Sequence, residues 1–155
     1  VGKGREDKYF EIRHQVAFEE TNLVGNVYYT NFLRWQGRCR EMFLAANAPS
    51  MVEEFRRGMT IATVHCSCDY HDELYAFDQV AIRMYLQEVR QNRLRLRFEY
   101  WRLLSETDEQ LVARGAMELA FLMRGENGAV PTPLPEELRE ALRAYEKQPR
   151  KTSPG

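Results

Sequence analysis

The segment Arg93-Leu94-Arg95-Leu96-Arg97-Phe98-Glu99-Tyr100 alternates polar and apolar side chains almost without a break. Period-two alternation belongs to an antiparallel strand with one face on a core and the other in water. Val80, Ile82, Met84 and Leu86 alternate with Ala81, Arg83, Tyr85 and Gln87 in the same way, and Gln91-Asn92 between the two runs reads as a hairpin turn. Tyr9 to Val16, Thr60 to Tyr70 and Leu111 to Met123 supply three more strands. Against them stands one long helical segment, Tyr28 to Ala46, in which Phe32, Trp35, Cys39, Met42, Phe43 and Ala46 recur at three- and four-residue spacing. One helix with an apolar stripe and one sheet with a dry face leave few arrangements. The sheet curls around the helix, and burial of large helix side chains at ~1.5–3 kcal/mol each makes that helix the core. The expectation is an α+β fold in the order strand, long helix, then four long strands in a meander.

The remaining punctuation fits this frame. Pro49 closes the long helix, and Met51 to Arg57 reads as a short second helix before Gly58. Ser105 to Glu109 is a polar turn. Gly125-Glu126-Asn127-Gly128 ends the last strand, and Pro131, Pro133 and Pro135 form a stiff connector to a charged terminal helix, Glu136 to Lys147, with Leu138, Leu142 and Tyr145 on one side. A length of 155 residues suits one domain with a real core. We place that domain at 9–147, with flexible tails at 1–8 and 148–155.

The 22 basic and 23 acidic residues leave a formal net charge of −1, which gives no bulk reason to invoke nucleic acid. The opening residues carry no apolar signal core, and no apolar run reaches the roughly 20 residues needed to span a bilayer. Cys39, Cys66 and Cys68 form no zinc-like framework and read as free thiols in a cytoplasmic setting. No cofactor loop, serine elbow or metal-ligand spacing is present, so neither a metal nor a cofactor is expected. Cys66 and Cys68 share a strand face with Val64 and read as core, and His14 and His65 read as ordinary strand residues.

The chemistry concentrates where the first strand meets the long helix, at Ala17-Phe18-Glu19-Glu20-Thr21-Asn22-Leu23-Val24-Gly25-Asn26-Val27-Tyr28-Tyr29. A loop feeding a helix N-terminus offers free N–H groups and the positive dipole end to an oxyanion, so the Val27, Tyr28 or Tyr29 amide could serve as donor. Gly25 permits close approach of a substrate or simply makes the turn. Asn22 has two readings: a cap or turn residue, or a group that orients a water or binds a carbonyl. An amide cannot take the proton. Tyr29 either donates its hydroxyl near the reacting group or packs at the helix start. Glu19 and Glu20 are nearby carboxylates of the sort that are mostly solvated. Arg38 and Arg40 lie two positions apart and point about 200° away from each other, so they cannot serve one site on one subunit.

From Tyr9 to Met123 the chain resembles the acyl thioesterases of the hotdog superfamily. The segment from Asn22 through Gly25, Tyr28-Tyr29, Phe32 and Trp35-Gln36-Gly37-Arg38-Cys39-Arg40 to Leu44 further resembles the small thioesterases of enediyne polyketide biosynthesis. That resemblance implies a hotdog fold that dimerises edge to edge, as a dimer of dimers, with sites at the dimer interface. It implies hydrolysis of a polyene β-ketoacyl thioester on the acyl carrier domain of an iterative polyketide synthase, with decarboxylation to follow. It carries catalytic roles onto Asn22 and Arg40, beside which the Tyr29 hydroxyl is placed as a third catalytic group. The pocket falls to Gly25, Val27, Tyr28 and Arg38, with Phe32, Trp35 and Phe43 along an acyl channel. Broader hotdog thioesterases carry Asp at the Asn22 position or a helix Glu, where this chain has Gly37. The rival readings are a broad acyl-CoA thioesterase using Glu19 or Glu20 as base, and an acyl-binding hotdog protein without turnover.

Overall fold

The computed structural model describes residues 7–147; of the tails expected at 1–8 and 148–155, residues 1–6 and 148–155 lie outside the described residues. The chain forms β1 (Tyr9–Gln15), a single 3-10 turn (Phe18–Glu20), α1 (Thr30–Asn47), α2 (Met51–Arg56), β2 (Met59–Tyr70), β3 (Gln79–Arg90), β4 (Arg93–Leu103), β5 (Glu109–Gly125), β6 (Gly128–Pro131) and α3 (Glu136–Arg143). The strands make one antiparallel sheet in the order β1-β3-β4-β5-β2, with β6 on the far end of β5. This is the curled sheet around a central helix expected for a hotdog fold.

The expected four-strand meander is corrected to three strands, β3-β4-β5. The loop 71–78 is too long for a tight hairpin, and it frees β2 to cross the sheet and pair with β5, Met59 opposite Met123 through Tyr70 opposite Ala113. The β3–β4 turn is the tight one expected. Arg90 faces Arg93, and Gln91 adopts the left-handed region at φ 54°. Beyond Gly125 the chain turns back into β6 before its proline connector, and the terminal helix ends at Arg143.

The buried stripe of α1 is Phe32, Trp35, Gln36, Cys39 and Phe43. Met42 and Ala46, expected on it, face outward, while Gln36 is fully buried in their stead. Gln36 fits because Gly115 on β5 leaves a notch for it. A Cβ at Gly115 would stand 2.2 Å from Gln36 Nε2 and 2.9 Å from the Ser67 carbonyl, which itself accepts a 2.9 Å bond from Gln36 Nε2. The expectation for β2 also fails in part. A bulge between Thr63 and His65 resets its register, leaving Val64 and Cys66 exposed and Cys68 half-buried. Burial pushes the Cys39 thiol up to about 12 and the Cys68 thiol up to about 11, so neither is a ready nucleophile. On the outer face of the sheet Arg83 is buried as well, held by Glu11 at 2.9 Å and by both oxygens of Glu109 at 2.8 and 2.6 Å.

Candidate active site

The loop between β1 and α1 is organised by Glu20. Its carboxylate is 15% exposed. Oε1 meets His14 Nε2 at 2.6 Å and accepts from the Ala17 amide at 2.8 Å, while Oε2 accepts from Trp35 Nε1 at 2.7 Å. Burial pushes the carboxyl up, but the Ala17, His14 and Trp35 contacts together outweigh it and hold the group below its ordinary value. The Glu20 carbonyl accepts from the Tyr28 amide and from Asn31 Nδ2, both at 2.9 Å. One residue thus ties the strand end, the loop and the first two turns of α1 together.

Asn22 closes a turn inside that frame. Its Oδ1 accepts from the Val24 amide at 3.0 Å, its amide donates to the Asn26 carbonyl and its carbonyl accepts from the Gly25 amide, each at 2.9 Å. Gly25 lies at φ +94° with no heavy atom within 4 Å of where a Cβ would be. Backbone conformation rather than close approach therefore explains the glycine here. Of the three donors expected at the helix start, Val27 and Tyr28 are corrected and Tyr29 stays open. The Val27 amide is spent on the Leu74 carbonyl at 2.7 Å and the Tyr28 amide on Glu20. What stays open are the amides of Tyr29 and Thr30, which have no acceptor among the described residues, at a helix start with no side-chain cap and no acidic residue in its first turn. The Tyr29 carbonyl accepts from the Tyr70 hydroxyl at 2.9 Å, and the Tyr28 and Tyr29 side chains are both exposed.

Arg40 stands ten residues beyond Thr30, about 15 Å further along the helix axis. Within one protomer the structure therefore does not bring Asn22 and Arg40 together. Arg40 faces inward over β5, with Nη1 3.6 Å from the Met117 sulfur. Its Nε is buried without a partner, and it pairs with no carboxylate among the described residues. Burial pulls its guanidinium below the ordinary value, and Glu41 opposes this; a guanidinium stays charged regardless. Its stem joins the lining of a cavity walled by aliphatic and aromatic groups, among them Phe43 and Leu44 of α1, Leu96 and Leu119 of the sheet, and Leu138 and Leu142 of α3. The free space is about 10 Å³, room for roughly one water.

Phe43 lines this cavity. Phe32 and Trp35 do not; they stack with each other at 5.1 Å, Phe32 edge-on to Tyr70 and Tyr100, Trp35 against His14. Arg38 is exposed on the opposite side of α1, 3.8 Å from Glu41. Glu19 is exposed.

The family model described as the thioesterase-like superfamily matches residues 16–142. The chain belongs to the thioesterase-like superfamily. A structure of the dynemicin thioesterase, reported with polyene binding, is 40% identical with a TM-score of 0.85, covering 89% of this chain and 97% of that one. It bears out the enediyne-type resemblance read from the Asn22–Leu44 segment. The 1,4-dihydroxy-2-naphthoyl-CoA thioesterase from Synechocystis is 20% identical, TM-score 0.75, with 88% and 96% covered. The 4-hydroxybenzoyl CoA thioesterase from a Pseudomonas strain is 21% identical, TM-score 0.73, with 86% and 98% covered. These two share the hotdog fold. No curated protein matches the chain.

This thioesterase is thus a thioester hydrolase whose loop carboxylate is structural in geometry. The sequence offers Glu20 only as a solvated carboxylate or a rival base, and shows no acid within reach of His14. The two meet because β1 and the 3-10 turn fold back on each other, six residues apart, which no helical or strand spacing announces. Gln36 was missed because a glutamine on an apolar stripe looks like a boundary residue until the Gly115 notch is seen. The Thr30 amide was missed because the helix starts two residues later than its apolar period suggests. No helix among the described residues is long and apolar enough to cross a membrane.

Proposed function

We propose that this thioesterase hydrolyses a polyene β-ketoacyl thioester from the acyl carrier domain of an iterative polyketide synthase, in a cytoplasmic setting, and that decarboxylation follows. The observation that carries this reading is Arg40, a half-buried charge whose buried Nε is unspent beside an apolar cavity. A permanent cation there suits a thioester carbonyl and its β-keto oxygen by charge-assisted hydrogen bonds, while the apolar walls suit a polyene. Polyene binding by the dynemicin thioesterase supports the same substrate class.

Water adds to the thioester carbon, the carbonyl electrons move to oxygen, and the oxyanion is held by preorganised donors. Collapse expels the carrier thiolate, which takes up the proton released by the water. The β-keto acid then loses CO₂ through its cyclic hydrogen-bonded form, leaving an enol that becomes a methyl ketone. Asn22 places the water through its side-chain amide. The open Tyr29 and Thr30 amides and Arg40 supply the positive field, with the Tyr29 hydroxyl at the rim. Because the loop and Arg40 lie about 15 Å apart along α1, a second copy is needed to bring both onto one thioester. β2 offers a surface for it: its outer edge is unpaired among the described residues and it exposes Val64 and Tyr70, a ready template for edge-to-edge pairing. A dimer of such dimers is the proposed assembly.

The alternative base, Glu20, has both oxygens committed to His14, Ala17 and Trp35, which argues against the broad acyl-CoA mechanism. The deciding experiment is mass spectrometry of products from a β-ketoacyl polyene on its carrier protein, beside a saturated acyl-CoA. Prompt methyl ketone or decarboxylated polyene from the first alone is the expected result. Hydrolysis of the acyl-CoA alone shifts the assignment to a general thioesterase, and retention of both thioesters shifts it to an acyl-binding protein.

A further inference from the structure

We propose that α3 is the length gauge of the acyl chamber, with Leu138 and Leu142 as the floor that a chain anchored at Arg40 meets and displaces. The inference rests on the acyl-thioester reading above and goes past it to the residues that set chain length. The cavity beside Arg40 holds about 10 Å³ of free space, so an acyl chain enters only by moving a wall.

The walls differ in how they are held. Leu96 and Leu119 belong to strands locked in register by continuous backbone ladders. Phe43 and Leu44 belong to α1, which the sheet wraps. Leu138 and Leu142, 1% and 2% exposed, belong to an eight-residue helix that makes no ladder to the sheet. The backbone bonds of α3 are local, Arg139 to Pro135 and Tyr145 to Leu142. It is attached by apolar side chains, by Glu137 Oε2 accepting from the Ser50 amide at 2.9 Å, and just past its end by the edge-on contact of Tyr145 with Phe43 at 5.4 Å, by Lys8 over the Tyr145 ring at 4.7 Å and by Lys147 3.9 Å from Asp7. Its outer face carries exposed Arg139, Glu140 and Arg143, which stay in water if the helix shifts outward. The proline connector before it, Pro131 to Pro135, fixes where it pivots. Of the walls, α3 is the one free to yield, and its two leucines are the groups a growing chain touches.

The test reads occupancy apart from turnover. A conjugated polyene fatty acid that fluoresces in apolar surroundings is bound to the whole protein and displaced by a graded series of saturated fatty acids. Leu142→Ala is expected to favour longer chains and Leu142→Trp shorter ones, each by about tenfold for lengths at the limit, with the chain-length profile of kcat/KM moving alongside. A limit that stays put, or moves the same way in both folded variants, overturns the gauge. If either variant fails to fold, hydrogen exchange on the wild type decides. Long acids are expected to change exchange of the α3 amides while short ones do not, and α3 exchange indifferent to every bound chain overturns the proposal. A wild type that binds chains with an α3-dependent limit but cleaves no thioester would sink the proposed activity and leave the gauge standing. Turnover with a limit blind to α3 would do the reverse.

Discussion

The two stretches of α1 that face chemistry are built on opposite principles. At the start of the helix almost every strong polar group is already spent: Glu20 on three donors, Asn22 on its own turn, the Val27 and Tyr28 amides on carbonyls. What remains there is a set of weak dipoles, the Asn22 side-chain N–H groups and the Tyr29 and Thr30 amides, held rigidly. Near the middle of the helix a full charge, Arg40, stands among apolar groups with its Nε unpaired, where the loop and the helix start leave only the neutral Asn26 Oδ1 and Gln36 Oε1 so. Buried polar groups are ordinarily satisfied, and an exception calls for a ligand or a role. The saturated end fixes geometry and the unsaturated wall offers binding energy, so substitutions should separate the two: stability lost at the loop, activity lost at Arg40.

The sharpest break in that contrast comes from Arg40→Ala. Turnover is expected to fall by about 10²–10³, while the melting temperature holds or rises because an unpaired, half-buried charge is removed. Steady-state kinetics beside a thermal melt checks both, and wild-type-like turnover would take Arg40 out of the mechanism. Glu20→Gln probes the other end. It weakens three hydrogen bonds to a buried group and is expected to cost up to about 3 kcal/mol of stability in denaturant unfolding. Its pH dependence follows from the direction of the shift. The folded carboxyl lies below its unfolded value of ~4.3, so its stabilisation is complete above that pH and drains away as pH falls through the lower folded value. The wild type should therefore lose more stability than Glu20→Gln on acidification.

Gly115→Ala strikes midway between the ends, driving a methyl group into Gln36 and the Ser67 carbonyl. A loss of about 1–3 kcal/mol is expected, and an unchanged unfolding midpoint would show that the notch is soft. Gly25→Ala is the smallest. It meets no neighbour but puts a side chain into the left-handed region, for about 1 kcal/mol by the same unfolding measurement. A much larger drop in activity than in stability would show that the turn has a direct part in binding.

Much of the fold was legible because alternation and helical period are local properties. Leu94, Leu96, Phe98 and Tyr100 all face the core as their spacing requires, and Phe32, Trp35, Cys39 and Phe43 mark the buried face of α1. Strand order was not legible. Nothing in Thr60–Tyr70 says whether it pairs with β3 or crosses to β5, because the outcome depends on a loop and on which edge is left open. The opposed directions of Arg38 and Arg40 were readable from the helix repeat alone, and the structure leaves one exposed and the other half-buried.

The amino-acid sequence by itself determined an α1 core wrapped by two-faced strands, and a family-typical loop with Asn22 in place of a carboxylate. Both follow from patterns within a few residues of one another. Only the tertiary structure decided that Glu20 and His14 meet, that Gly115 makes room for Gln36, that Val27 and Tyr28 have no amide to give, and that Leu138 and Leu142 close the cavity behind Arg40. Those facts depend on contacts between segments distant along the chain or folded back through irregular turns, where no repeat encodes which groups come within hydrogen-bonding or van der Waals reach.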